Sequence, residues 1–452
     1  MQSVQLKYGT GMTVAACLWA GLFPQLHMGT YAFITKNKWT FMVILCGITL
    51  ACFLLDLFLG MRVDQDRESP TFQAFRGTSS LLPLILAGGL LLCAMLSCLL
   101  GPYSSKEWWI GASDRREGLA AQLCYLGLFF CFALSRVRLK PVLLSAAAGV
   151  FLFAVPVFLQ RGGGNPFGLY PAGRSYALNP EFQGSIGNVD MDTGYLCTVA
   201  GFLLYGGIES VRSLRCGRSR ADRVLSAACL AGLLLSVYLI VTMGVQFGVI
   251  SLAAIVLVVV LRIVPKKYRL PLLLVLLALV FLVVWFWPGT GGGIWELHET
   301  LHGRARLSFG SNRVAVWYYT LRLAGTRLLL GSGSDTFKLS FNRFIAENDL
   351  VIPKEQDGVP LPHYFDNPHN EYLAQLINHG LPAMLLLIAL VLCAVWRRRD
   401  RLLPVPDPYS AAVLCYAVQA FFSFSVCMVA PLFWMFLGLS LNVREPAENL
   451  SA

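Results

Sequence analysis

Apolar runs of about 18 residues or more recur along this chain, each long enough to cross the hydrocarbon core of a bilayer. Inside lipid such a run has to be helical, because only a helix satisfies its own backbone N–H and C=O groups. The constraint reaches nearly the whole sequence. Of 452 residues, 56% are hydrophobic and only 13% are charged, where soluble domains carry roughly a quarter. The runs predict about twelve membrane helices, over residues 12–34, 39–60, 80–100, 119–134, 142–159, 195–208, 224–243, 247–261, 270–287, 380–396, 409–426 and 428–441. The expected fold is an all-α polytopic membrane protein. The N-terminus has no short cleavable signal pattern, so its first apolar stretch reads as a retained helix.

A net charge of +11 would suit a nucleic-acid partner if it gathered on one surface. It does not. The charge sits in short clusters between apolar runs, as expected for cytoplasmic membrane loops, so membrane lipids are the expected surroundings and nucleic acid is not a partner. Arg136, Arg138 and Lys140 form one cluster, and Arg212, Arg215, Arg218, Arg220 and Arg223 a second. Arg262, Lys266, Lys267 and Arg269 form a third, and Arg397, Arg398, Arg399 and Arg401 a fourth. With both termini in the cytoplasm all four lie inside, as does the loop holding Arg62, Arg67 and Arg76. The thirteen cysteines lie mostly within apolar runs and include no CxxC pair, which argues against a disulfide framework or a zinc ribbon.

This orientation leaves three longer loops outside, 101–118, 160–194 and 288–379. The chain then divides into helices 1–9 (1–287), one large, partly helical extracytoplasmic loop (288–379), and helices 10–12 with a cytoplasmic tail (380–452). A connection of about ninety residues is far beyond the usual length. Val314, Trp317, Tyr318 and Leu321 recur in it at helical spacing, which predicts a folded cap. No internal repeat is evident.

Five of the six histidines, His298, His302, His363, His369 and His379, lie in that loop. His298-Glu299-Thr300-Leu301-His302 fits the zinc-protease pattern HExxH, in which two histidines share a helix face and the glutamate acts as base. No third ligand is evident, and the segment follows three glycines at a membrane exit, so an interface helix is the plainer reading. In Asp366-Asn367-Pro368-His369-Asn370-Glu371-Tyr372-Leu373, Asn367 is expected as a helix N-cap and Pro368 as the first helical residue. His369 would then sit in the first turn, kept neutral by the positive helix end, with free N–H groups that favour a phosphate. A neutral histidine beside a phosphate suits group transfer from a phosphorylated donor. A capping or buried histidine fits the same residues. In Gly310-Ser311-Asn312-Arg313, Ser311 is the expected cap of a helix presenting Arg313, with Trp317 one turn later on the same face. Arginine suits phosphate recognition, and it equally suits a headgroup belt with Trp317, Tyr318 and Tyr319. Gly331-Ser332-Gly333-Ser334-Asp335 is a glycine-permissive loop without the GK[ST] of a nucleotide P-loop.

Taken in order, Gly310-Ser-Asn-Arg313-xxx-Trp317, Gly331-Ser-Gly333-xxx-Phe337 and His369-Asn-Glu-Tyr-Leu373-xx-Leu376-xxx-Gly380 resemble the O-antigen ligase and polymerase superfamily. Gly111-xxx-Arg115-xx-Gly118 and Gly184-Ser-Ile-Gly-Asn188 are similar too. The resemblance implies a glycosyltransferase of the bacterial cytoplasmic (inner) membrane, acting in cell-surface polysaccharide biosynthesis. It would move a glycan from a polyprenyl (undecaprenyl) diphosphate carrier to an acceptor hydroxyl on the outer face, as ligase or polymerase. By that resemblance Arg313 would hold the diphosphate, His369 would deprotonate or orient the acceptor, and an apolar groove would take the polyprenyl tail. Asn370, Glu371 and Trp317 would line the substrate site. No cofactor and no metal are implied, since arginines can neutralise the leaving diphosphate. Relatives carry an arginine where this chain has Gln246, which can hydrogen-bond a phosphate but adds no charge. A second cation would then come from Arg174, Arg115 or Arg116.

The alternative from another class is a transporter or flippase of lipid-linked glycans. It would place ionisable residues within the spans, where Asp56 and His27 are the clearest, whereas histidine and arginine gather instead in an outer loop. The topology carries the first prediction. A cysteine introduced at Gly358 should react with a membrane-impermeant maleimide in intact cells or spheroplasts. Reaction only after permeabilisation would overturn the orientation.

Overall fold

A computed structural model describes residues 9–63, 78–214, 220–350, 352–356, 359–362, 365–396 and 407–442. Gly358, His363, Arg67, Arg76, Arg215, Arg218 and the arginines at 397–399 and 401 lie outside the described residues. The chain forms a multi-pass helical membrane protein. Among the described residues, six helices are long and apolar enough to cross a bilayer, and Leu119–Ala133, Gln246–Leu261 and Ala430–Ser440 are apolar but shorter.

The first segment, α1 (Thr10–Cys17), continues as a π turn and a 3-10 turn and stops at Gln25. It was expected to run through residue 34. Pro24 offers no N–H, and the chain is extended by Leu26. The freed end is capped from the next helix, α2 (Ile34–Val63), whose fully buried Lys38 donates to the Phe23 and Pro24 carbonyls at 3.1 and 2.8 Å. At the other end of α1, Asp56 of α2 accepts the Met12 N–H at 3.0 Å. Both buried charges of α2 are therefore spent on the ends of α1.

Next come α3 (Thr78–Leu100), a single turn α4 (Ser105–Trp108), α5 (Leu119–Ala133), α6 (Leu139–Arg161), α7 (Val189–Leu214), α8 (Arg220–Met243), α9 (Gln246–Ile263) and α10 (Lys266–Trp285). Trp19, Phe129, Phe132, Phe153, Phe202 and Phe436 fill one shared core, and α7 packs on α8 at its centre. Only 6% of the apolar window of α10 is buried, which leaves that helix at the periphery for lipid to cover.

The segment between α10 and residue 370 forms a folded cap with α11 (Gly292–Leu301), α12 (Arg313–Ala324) and α13 (Phe337–Glu347). A short antiparallel hairpin, β1 (Pro353–Gln356) and β2 (Val359–Pro362), joins them, with Pro353 opposite Pro362. Val316, Phe337, Phe341, Phe365, Leu376 and Ile377 give the cap its own core against the next helix, α14 (Glu371–Val395). The expected start of that helix, Gly380, is instead an interruption inside it. Gly380 adopts φ 86°, ψ 170°, and its N-terminal stretch begins at Glu371. The last helices, α15 (Pro408–Ala420) and α16 (Ala430–Ser440), have 13 and 11 residues. At 1.5 Å per residue they reach about 20 and 16 Å, short of a ~30 Å core.

At the interruption the Ile377 and Asn378 carbonyls accept the Ser332 and Gly333 N–H groups, each at 2.9 Å, and Leu381 N–H donates to Leu328 O at 2.7 Å. A Cβ on Gly380 would lie 2.2 Å from Leu329 O. Gly380→Ala should therefore lower stability by at least about 1–3 kcal/mol from backbone strain alone. A thermal-unfolding midpoint equal to wild type would show that the crossing is not as close as described.

Candidate functional site

The candidate site gathers around the guanidinium of Arg115, a residue only 7% exposed. Its Nε lies 3.6 Å from Asp335, its Nη1 3.5 Å from Asp366, and its Nη2 donates to Ser425 O at 3.4 Å. The plane stacks over the Phe424 ring at 4.1 Å. Four segments thus meet at one charge, and two are fixed further. Asp335 accepts N–H bonds from Ala112 (2.8 Å) and Glu117 (3.1 Å), tying the strap after Gly331 to the first outer loop. Burial pushes the Asp335 carboxyl up to about 6, against the pull of Arg115 and these two donors.

Asp366 leads directly into the histidine segment. Asn367 Oδ1 accepts the His369 N–H at 2.7 Å, closing an Asx turn, and His369 takes a left-handed φ of 48°. The true N-cap is Asn370, whose side chain accepts the Leu373 N–H at 3.0 Å. His369 therefore precedes the helix instead of occupying its first turn, and Asn367 is not the cap. The His369 ring meets Phe424 edge-on at 5.3 Å, on the phenyl group that also carries Arg115. Both Glu371 oxygens are engaged, one by Gln375 Nε2 at 3.0 Å and one by Ser425 N–H at 2.7 Å.

Helix α12 reaches the same segment. Its cap is Asn312, with φ 69° and no side-chain capping bond, so Ser311 does not cap it. Arg313 is the first helical residue. Trp317, one turn on, donates its indole N–H to Pro368 O at 2.8 Å and packs on Phe421. Arg313 thus sits one turn, about 6 Å along the axis, from a residue bound to the backbone just before His369. Arg313 Nη1 donates weakly to Gly310 O at 3.3 Å, and Asp190 at the start of α7 lies within its electrostatic reach.

Among the described residues, Arg313 Nε, Arg116 Nε and Arg115 Nη1 are buried donors without a hydrogen-bond partner. Arg116 lies over the Trp39 ring at 5.7 Å. The other two residues expected at the site lie apart from Arg115. Arg174 is exposed and donates to Asn179 within its own loop at 3.5 Å. Gln246 begins α9 and faces the first turn of α11, where a Cβ on Gly293 would come within 2.7 Å of its Oε1. Arg161, which sequence reasoning did not single out, reaches Thr242, near the end of the helix that precedes Gln246. It donates to Thr242 at 2.8 Å and to Gln183 at 3.0–3.1 Å. Its position at the edge of an apolar run gave no signal beyond an interface anchor.

The HExxH segment is helical, and His298 and His302 do share a face, with rings 4.2 Å apart. Their Nδ1 atoms bond to the Val284 and His298 carbonyls, and Trp285 stacks on His302 at 4.3 Å. Glu299 is gripped by both arms of Arg304, at 2.8 and 2.6 Å, which holds its carboxyl below the usual range. A carboxylate so paired is a poor general base, and the segment reads as an interface helix.

Residues 230–388 match the family model described as O-antigen ligase. No curated protein matches the chain closely enough to be named as a relative. The family implies glycosyltransferase-type activity in polysaccharide assembly.

Glu117, beside Arg115, is buried and pushed up to about 8, by burial first and by Asp335 and Glu371 further, against a Tyr125 hydrogen bond at 2.7 Å. A carboxyl raised in this way favours the fold below its unfolded value of 4.5, and that contribution is lost as pH rises through about 8. Glu117→Gln should flatten the fall in thermal stability between pH 6 and pH 9. Parallel curves for variant and wild type would show that Glu117 is already ionised.

Proposed function

We propose that this chain transfers a glycan from a polyprenyl diphosphate carrier to an acceptor hydroxyl, a reading supported by the O-antigen ligase family match over residues 230–388. The reaction takes place at the outer face of a bacterial cytoplasmic membrane, with both termini inside. One observation carries the reading. Two buried guanidinium donors, on Arg116 and Arg313, lack hydrogen-bond partners among the described residues, Arg115 Nη1 has only the long 3.5 Å ion pair to Asp366, and Arg115 and Arg313 flank the His369 segment. Buried donors of this kind are normally satisfied, so an anion is the natural complement.

In this mechanism Arg313 binds the diphosphate, and Arg115 and Arg116 add positive potential. As the glycosyl bond breaks, charge grows on the bridging oxygen, so the arginines stabilise the transition state more than the ground state. His369 takes the proton of the attacking hydroxyl. Trp317 and Asn370 hold the two helix starts in register, and Arg161, with Gln246, serves the corner where relatives carry an arginine. The polyprenyl tail lies against the apolar helix surfaces facing lipid. The transporter reading loses ground because Asp56 and Lys38 are engaged by hydrogen bonds at the two ends of α1.

With purified polyprenyl-diphosphate glycan and acceptor, His369→Ala should lose about 10²–10⁴ in rate while still binding lipid. Arg313→Lys keeps the charge but loses the planar fork, and should be poorly active. A folded His369→Ala variant with full activity would contradict the mechanism.

A further inference from the structure

Behind the site runs a buried hydrogen-bonded chain that the transfer reaction as described does not use. Glu371 Oε1 accepts from Gln375 Nε2 (3.0 Å), Gln375 Oε1 bonds His379 Nδ1 (2.7 Å), and His379 Nε2 bonds Ser334 Oγ (2.8 Å). The Cys98 thiol donates to Ser334 Oγ at 3.3 Å. With Glu371 ionised, each direction follows from the next. A carboxylate only accepts, so the Gln375 amide must present N–H to Glu371 and its oxygen to His379. His379 Nδ1 must then carry the proton, which leaves Nε2 as an acceptor for the Ser334 hydroxyl, whose oxygen in turn accepts from Cys98. All the donors point toward Glu371. Its remaining oxygen takes the Ser425 N–H, beside the Phe424 ring that packs on His369.

We infer that His379 is a positioning residue: it fixes the Gln375 amide, and through Glu371 the Phe424–Ser425 turn, so that the His369 ring is held for transfer. The chain occupies the stretch of α14 before Gly380, so it also couples the Ser332–Asp335 strap to that turn. This rests on the role proposed for His369. A ring that loses its wall is misplaced in the loaded site without losing substrate affinity, so turnover should suffer and binding should not.

The test compares wild type, His379→Phe and His379→Gln in lipid nanodiscs, by amide hydrogen exchange and by transfer kinetics. His379→Phe removes both hydrogen bonds, whereas glutamine restores one donor and one acceptor. Exchange at residues 424–426 should speed up in His379→Phe. Its kcat should fall about 10- to 100-fold, the range typical of outer-shell partners, with KM within about threefold. His379→Gln should recover part of both. Unchanged exchange in a folded His379→Phe overturns the network without reference to any substrate. Faster exchange with unchanged kcat overturns the positioning role and leaves the transferase reading standing. A wild-type protein that transfers nothing removes both.

Discussion

At Gly380 the backbone of α14 leaves the helical ladder, and the carbonyls of the preceding turn need donors from elsewhere. The strap from Gly331 to Asp335 supplies them through Ser332 and Gly333. That docking is what delivers Asp335 to Arg115, and Arg115 in turn gathers Asp366, Phe424 and the first outer loop. Only a glycine can sustain the backbone angles at the break, with Leu329 O crossing so close. A local departure from helix geometry thus assembles a site from segments far apart in sequence.

Arg115 is a structural charge as much as an electrostatic one. It is poised at 3.4–3.6 Å from its oxygen partners, longer than a well-formed charge-assisted hydrogen bond. Its positive potential is therefore not fully consumed inside the protein. Asp335 and Glu117 are buried and both are raised, which limits their ability to cancel it.

The membrane character was legible in the sequence because it depends on local composition. Apolar run length locates helices, and His369, Arg313 and Trp317 stand in recognisable local settings. The finer errors have local causes too. Asn367-Pro368 carries the signature of a helix start, but the Asx turn to His369 competes for the same asparagine, and Asn370 takes the cap. The membrane span was expected to begin only at Gly380 because the stretch from Glu371 to His379 is polar, yet its polar groups are paired with one another inside the protein and one helix runs through from Glu371. Arg304, five residues after Glu299, was in plain view as the partner that disarms HExxH. The meeting of Arg115 with Asp335 and Asp366 was not legible, since nothing local marks a long-range ion pair.

The central claim is that Arg313 and His369 face one diphosphate. A cryo-electron microscopy structure in lipid nanodiscs containing a polyprenyl diphosphate tests it directly. The account predicts diphosphate density within hydrogen-bond reach of the Arg313 guanidinium and beside the His369 ring. Density seated elsewhere on the outer face, with Arg313 turned away from it, would contradict the account.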